Sequence, residues 1–123
     1  MGILSGRTVL VVEDESLVGL LIEDALLDAG AIVYGPANTI EIAQNLLINN
    51  AISAAILDIN VGGLLVYPVA DELSRQGIPF IFVSGYLKYP SQHASYHAKL
   101  VLKPFLASDI VCEVACIVDA PSR

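Results

Sequence analysis

Four short apolar runs free of charged residues recur along this chain, Thr8–Val12, Ala31–Tyr34, Ala54–Leu57 and Phe80–Val83, and each is followed by a longer segment. Runs of that length that are apolar throughout suit strands buried on both faces, which occur in parallel sheets covered by helices on each side. The intervening segments supply those helices. Glu15 to Ala29 carries apolar residues at 17, 18, 21, 22 and 25, a 3.6-residue period, and Gly30 is placed to cap it. Gly35-Pro36 ends the second strand, and Asn38 with Glu41 three residues on makes a capping-box-like start for a helix reaching about Ile48. Leu65 to Gln76 follows a Gly62-Gly63 loop, with Pro68 in the first turn, where proline is tolerated. Leu87 to Lys99 has little periodicity and predicts a short, mobile fourth helix. Leu100 to Leu102 is a brief fifth strand, and a last helix runs from about Ala107 to Asp119. Five such strand-helix units predict an α/β doubly wound, five-stranded parallel sheet of order 2-1-3-4-5, the flavodoxin-like order, with ligands bound beyond the carboxyl ends of the strands.

Length and charge narrow the function classes. With 123 residues the chain holds one domain, 1–123 with a core of about 8–118, and no attached output domain is expected. Hydrophobic residues make up 55%, which excludes disorder. Thirteen acids against six scattered bases argue against nucleic-acid binding, which needs clustered cations. The longest uncharged stretch, Ile42 to Leu57, is interrupted by Gln44, Asn45, Asn49 and Asn50, so no membrane span is expected. No secretory leader is visible, and two cysteines are too few for a disulfide framework, so a cytoplasmic location is expected.

The residues just past each strand carry the chemistry: Glu13 and Asp14 after the first, Asp58 after the third, Ser84 after the fourth, Lys103 after the fifth. The predicted topology gathers them on one edge. Three carboxylates about 6 Å apart at an effective dielectric of about 20 repel by about 3 kcal/mol per pair. The trio therefore costs about 8 kcal/mol, which rivals a domain's whole stability of about 5–15 kcal/mol, so a compensating charge is needed. Hard oxygen donors open to water suit Mg²⁺, and three carboxylates, one Mg²⁺ and Lys103 sum to zero. An acceptor carboxylate, a metal, a lysine and a hydroxyl are the parts phosphoryl transfer needs. Asp58 is the natural acceptor, because the adjacent Glu13 and Asp14 fit a paired metal-holding role.

With these residues in order, the chain resembles the receiver domains of two-component response regulators. The likeness runs from Thr8 to about Val118 and is carried by Val-Val-Glu13-Asp14-Glu, Ile-Leu-Asp58-Ile-Asn60, Ser84-Gly85 and Lys103-Pro104-Phe105. The resemblance implies that Asp58 is the phosphoacceptor, Asp14 a direct Mg²⁺ ligand, Glu13 a ligand through water, and the Asn60 main-chain carbonyl a further ligand. It gives Ser84 the hydroxyl role, Lys103 the phosphate-pairing role, and a cis Lys103–Pro104 peptide. It implies phosphorylation by a histidine kinase or histidine phosphotransfer protein, signalling by protein contact, and no separate enzymatic output. Receivers carry a switch aromatic three residues before the lysine, where this chain has Leu100. Phe82-Val-Ser-Gly-Tyr86 instead resembles variant single-domain receivers, common in alphaproteobacterial stress signalling, whose fourth strand supplies the aromatic; Tyr86 would then be the switch residue.

Two other readings compete. A haloacid-dehalogenase-like phosphatase also uses an aspartate nucleophile and Mg²⁺, but wants Asp-x-Asp after its first strand, whereas Asp58 follows the third and Asn60 holds the second position. A non-phosphorylated interaction module leaves the acid, hydroxyl and lysine set without a purpose. His93 and His97 lack a further ligand nearby and read as surface histidines; Cys112 and Cys116 read as small packing residues. In the last helix, Ile110, Val111, Val114, Ala115, Ile117 and Val118 span about 160° of the wheel, wider than one core face needs. That strip is either a tightly wrapped core face or a surface for a homodimer or other partner.

Overall fold

A computed structural model describes residues 2–85 and 91–118. Its main sheet has five parallel strands, β1 (Thr8–Val12), β2 (Ile32–Ala37), β3 (Ala54–Asp58), β6 (Phe80–Ser84) and β7 (Leu100–Leu102), in the order β2-β1-β3-β6-β7. A two-stranded hairpin, β4 (Asn60–Val61) and β5 (Leu64–Leu65), is inserted after β3. The main sheet is therefore the expected 2-1-3-4-5 arrangement. Helices α1 (Ser16–Asp28), α2 (Ile40–Asn49), α3 (Tyr67–Arg75) and α4 (Ala107–Val118) cover it.

Strand residues alternate between two cores. Leu10, Val12, Ala55, Leu57, Phe80 and Phe82 face one side, where Ala43 and Leu47 of α2 and Val69, Ala70 and Leu73 of α3 close over them. Val9, Val11, Ala54, Ile56, Ile81 and Val83 face the other, against Ile22 and Leu26 of α1 and Ile110 and Val114 of α4. β3 and β6 are buried along their whole length, while the outer strands β2 and β7 are only partly covered. The runs Thr8–Val12, Ala54–Leu57 and Phe80–Val83 thus mark the centre of the sheet, whereas Ala31–Tyr34 falls in the outer strand β2, where Ile32 is exposed. The wide apolar strip of α4 goes to the core: Val111, Ala115, Ile117 and Val118 pack against the second cluster around Ile110 and Val114.

Several local expectations change. β2 does not end at Gly35-Pro36 but runs on to Ala37, with a register irregularity between Leu10 and Val12 of β1. An outer strand tolerates a proline, which has no N–H to donate, and Gly35 takes φ 102° where an added Cβ would stand 2.4 Å from the Val11 carbonyl oxygen. The extension matters, because the Ala37 carbonyl accepts from the Glu13 N–H at 2.9 Å. The cap of α2 is Thr39, not Asn38. The helix begins at Ile40, so Thr39 Oγ1 accepts from the Ile42 N–H at 3.1 Å and Glu41 falls one position short of a capping box. Thr39→Ala is expected to cost about 1 kcal/mol, read as a lower urea midpoint.

Along α1 the buried residues are Gly19, Ile22 and Leu26, whereas Leu17 and Leu21 are 76% and 61% exposed. Residues 17 to 22 are apolar at every position but Gly19, so the pattern does not fix which side turns inward. Close approach decides it: a Cβ at Gly19 would lie 3.0 Å from the Pro36 ring. Gly30 takes φ 92° after α1 and its N–H reaches the Leu27 carbonyl at 3.0 Å, closing the helix as expected. α3 starts at Tyr67, because Leu64 and Leu65 pair with Asn60 and Val61 instead. In the Leu87–Lys99 stretch, residues 91–96 form a 3₁₀ helix, not an α-helix. Tyr86, with the rest of 86–90, lies outside the described residues, as does Asp119. Among the described residues no helix is long and apolar enough to cross a membrane.

Candidate functional site

Parallel register brings the strand ends level. Val12 pairs with Leu57, Leu57 with Phe82, Asp58 with Val83 and Ser84 with Leu102, so the residues that follow emerge along one edge. There a cavity of about 260 Å³ is lined by Asp14, Glu15, Asp58, Asn60, Ser84, Gly85 and Lys103. Glu13, Asp58 and Ser84 are the buried polar residues of the described chain. Each of the site residues from Glu13 to Lys103 that the sequence singles out, Tyr86 apart, is therefore at or beside this cavity.

Lys103 holds the carboxylates together. Its Nζ lies 3.1 Å from Glu13 Oε2, 3.1 Å from Asp58 Oδ2 and 2.9 Å from Glu15 Oε1. The main chain of Lys103 is itself fixed, its N–H donating to the Ser84 carbonyl at 2.8 Å. The Lys103–Pro104 peptide is cis. Burial works to lower the Lys103 pKa, but the carboxylates of Glu15, Asp58 and Glu13 outweigh it and hold the ammonium above the ordinary lysine value.

Glu13 shows what Lys103 leaves uncompensated. Burial, then the shared hydrogen bond and the charge of Asp58, push its carboxyl up to about 7, against the Glu15 N–H and Lys103, which pull it down. Oε2 accepts from the Glu15 N–H at 3.1 Å, whereas Oε1 is buried and makes no hydrogen bond, although Lys103 Nζ is 3.1 Å away. Carboxylate oxygens of Glu13, Asp14 and Asp58 lie within 4.8 Å of one another. A buried carboxylate oxygen that makes no hydrogen bond, within an all-oxygen donor set, fits a hard divalent cation such as Mg²⁺.

Asp14 is positioned by a hairpin that the expected Gly62-Gly63 loop did not include. Gly62 and Gly63 both take positive φ, 60° and 83°, in a two-residue turn. This turn aims the Gly62 N–H at Asp14 Oδ2, 2.8 Å away, and the Gly63 N–H at Asn60 Oδ1, 3.1 Å away. Gly-Gly between two short runs is itself a hairpin signal. Glu15 was likewise not singled out, though it is one of the three partners of Lys103.

Other candidate groups lie elsewhere. His93 is half-buried against Phe82, ring centroids 6.3 Å apart, rather than on the surface. His97 follows the 3₁₀ helix at φ 55° and is exposed. Phe82 and Tyr96 belong to an aromatic cluster in which Tyr96 stacks on Tyr67, centroids 5.5 Å apart, and donates to Asp71 Oδ1 at 2.6 Å. Burial, followed by Asp71, pushes the Tyr96 phenol up to about 12. Cys112 and Cys116 are exposed, not packing residues.

No family model and no curated protein matches the chain. Solved structures do match it. The non-phosphorylated receiver domain of HemR from Leptospira biflexa superposes with a TM-score of 0.81 at 20% identity, covering 95% of this chain and 98% of that one. A response regulator receiver protein from Sinorhizobium medicae matches with a TM-score of 0.77 at 26% identity, again over 95% and 98%. The response regulator TrrA from Thermotoga maritima, in complex with Mg²⁺-BeF, matches with a TM-score of 0.76 at 24% identity over 90% and 98%. The chain has the fold of these receiver domains.

Proposed function

We infer that this chain is a response-regulator receiver domain, a phosphoryl-accepting switch of two-component signalling with Asp58 as its acceptor. The observation that carries this is the Asp58 carboxylate beside a cavity of about 260 Å³, paired at 3.1 Å with Lys103 and grouped with Glu13 and Asp14. Asp58 would attack the phosphorus of a phosphohistidine. A phosphorus–oxygen bond forms, the phosphorus–nitrogen bond breaks, and the imidazole leaves with a proton. Lys103 would pair with one phosphoryl oxygen and the Ser84 hydroxyl would donate to another. Asp14, Glu13, Asp58 and the main-chain carbonyl of Asn60 would hold Mg²⁺, which neutralises phosphoryl charge when bound. Support for that ion comes from the buried Glu13 oxygen that makes no hydrogen bond and from the likeness to a receiver crystallised with Mg²⁺-BeF.

Asp58 acts as a stoichiometric acceptor, and slow hydrolysis of the acyl phosphate by water would reset the switch. The cytoplasmic setting, the histidine kinase or phosphotransfer partner, the unit 8–118 as one receiver and the switch role of Tyr86 belong to the same proposal. Incubation with Mg²⁺ and a small acyl phosphate should add one phosphoryl group, detected by intact mass. Hydroxylamine should remove it, and chelation of Mg²⁺ or Asp58→Ala should prevent it. Equal labelling of Asp58→Ala would refute the assignment.

A further inference from the structure

Three acids stand in a row at Glu13, Asp14 and Glu15, and the phosphoryl chemistry uses only the first two. Glu15 is the N-cap of α1, its carbonyl accepting from the Gly19 N–H at 2.9 Å. A side-chain oxygen at that position ordinarily accepts an N–H of the first helical turn, but the Glu15 carboxylate caps nothing. It turns away from its own helix, and Oε1 accepts from Lys103 Nζ at 2.9 Å. The Glu15 N–H donates to Glu13 Oε2. The main chain is thus anchored, while the carboxylate, 61% exposed, stands at the rim of the acceptor cavity that it lines with Asp58, Ser84 and Lys103.

An ammonium has three protons to donate and no lone pair. Lys103 gives one each to Glu13, Asp58 and Glu15. A phosphoryl oxygen that pairs with Lys103 must displace one of them. Glu13 and Asp58 are buried, and a buried carboxylate stripped of its counter-charge is costly. Glu15 can turn out to water, and an exposed ion pair contributes little to stability, so its bond is the one that yields. Without a phosphoryl group the carboxylate has reason to stay on Lys103, because the cavity on its other side is lined by the apolar Val18, Leu21, Pro104 and Phe105.

We propose that Glu15 is a charged restraint on phosphoryl entry, holding the Lys103 proton that a phosphoryl oxygen requires and repelling doubly negative donors from Asp58. The inference rests on the reading of Asp58 as acceptor. Glu15 itself makes and breaks no covalent bond. With an acyl phosphate, the bond from an Asp58 oxygen to phosphorus forms, the donor's phosphorus–oxygen bond breaks and the donor's carboxylate leaves, while Lys103 passes from Glu15 to a phosphoryl oxygen. Glu15 is therefore a positioning residue, and its negative charge selects among donors by theirs.

The test measures the second-order rate of labelling of the full chain in Mg²⁺, by intact mass, with a doubly charged acyl phosphate and with singly charged phosphoramidate. At low ionic strength Glu15→Gln should speed labelling by the acyl phosphate about tenfold, and by phosphoramidate only about threefold, because the repulsion scales with donor charge. Both gains should shrink at about 1 M salt, where charges are screened within about 3 Å. Glu15→Asp keeps the charge and should recover most of the restraint, and circular dichroism should show both variants folded. A rate that Glu15→Gln leaves unchanged or lowers, or a gain indifferent to salt and donor charge, would overturn the inference and leave Asp58 as the acceptor. Equal acceleration by Glu15→Asp would also overturn it, since shape and not charge would then be responsible. Absence of labelling in the wild type and in every variant would refute the acceptor reading, and this inference with it.

Discussion

Lys103→Met is expected to lower the stability of the metal-free protein by about 3–5 kcal/mol at neutral pH, because it leaves buried carboxylates without their counter-charge. The Lys103 ammonium is 14% exposed and lies within 3.1 Å of Glu13 and of Asp58, whose side chains are 0% and 7% exposed. Methionine keeps the apolar stem and removes only the charge. A loss of that size takes a large part of a stability of about 5–15 kcal/mol. Because the folded pKa of Lys103 is raised, its contribution is complete at neutral pH and fades only as pH climbs above the ordinary value of 10.5. Urea unfolding with and without Mg²⁺ checks the cause. A cation that binds only the folded chain stabilises by mass action, so the variant should gain more from Mg²⁺ than the wild type does. Equal gains would show that Lys103 is not the counter-charge of this cluster.

Glu13→Gln should act in the opposite direction, raising the stability of the metal-free protein at pH 8 by about 3 kcal/mol. The carboxyl is displaced from 4.5 to about 7, which corresponds to that cost once it ionises in the folded state. The folded chain binds this proton more tightly than the unfolded one. Wild-type stability from this group therefore falls as pH rises from 4.5 to 7 and is level above that window. Glutamine carries no such proton, so the fall should disappear, while Mg²⁺ affinity drops because a carboxylate donor is lost. Urea midpoints between pH 4 and 8 measure the first effect and Mg²⁺ titration the second. The site is thus a local strain that favours a bound cation, and weakening it should stabilise the chain at the expense of binding.

The positions of Glu13, Asp58, Ser84 and Lys103 were legible because each follows a strand whose apolar run is unambiguous, and parallel register then levels the strand ends. What was not legible follows from degeneracy or from contacts distant in the chain. The inward side of α1 could not be read where nearly every residue from 17 to 22 is apolar; packing of Gly19 on Pro36 selects it. The end of β2 is not legible because Gly35-Pro36 reads as a stop, whereas an outer strand with an irregular register accommodates it. The orientation of Asp14 depends on an N–H of Gly62, 48 residues away, which no local pattern around Asp14 records. The late start of the third helix and the hairpin have one cause, since Leu64 and Leu65 have partners in Asn60 and Val61.

The central claim is that one carboxylate among the three clustered here accepts the phosphoryl group. Borohydride reduction converts an aspartyl phosphate to homoserine, so labelling the Mg²⁺-loaded chain with an acyl phosphate, reducing it and sequencing its peptides locates the acceptor. The account predicts homoserine at position 58 and unmodified Glu13 and Asp14. Reduction at Asp14, reduction of Glu13, or no reduced residue after labelling would contradict it.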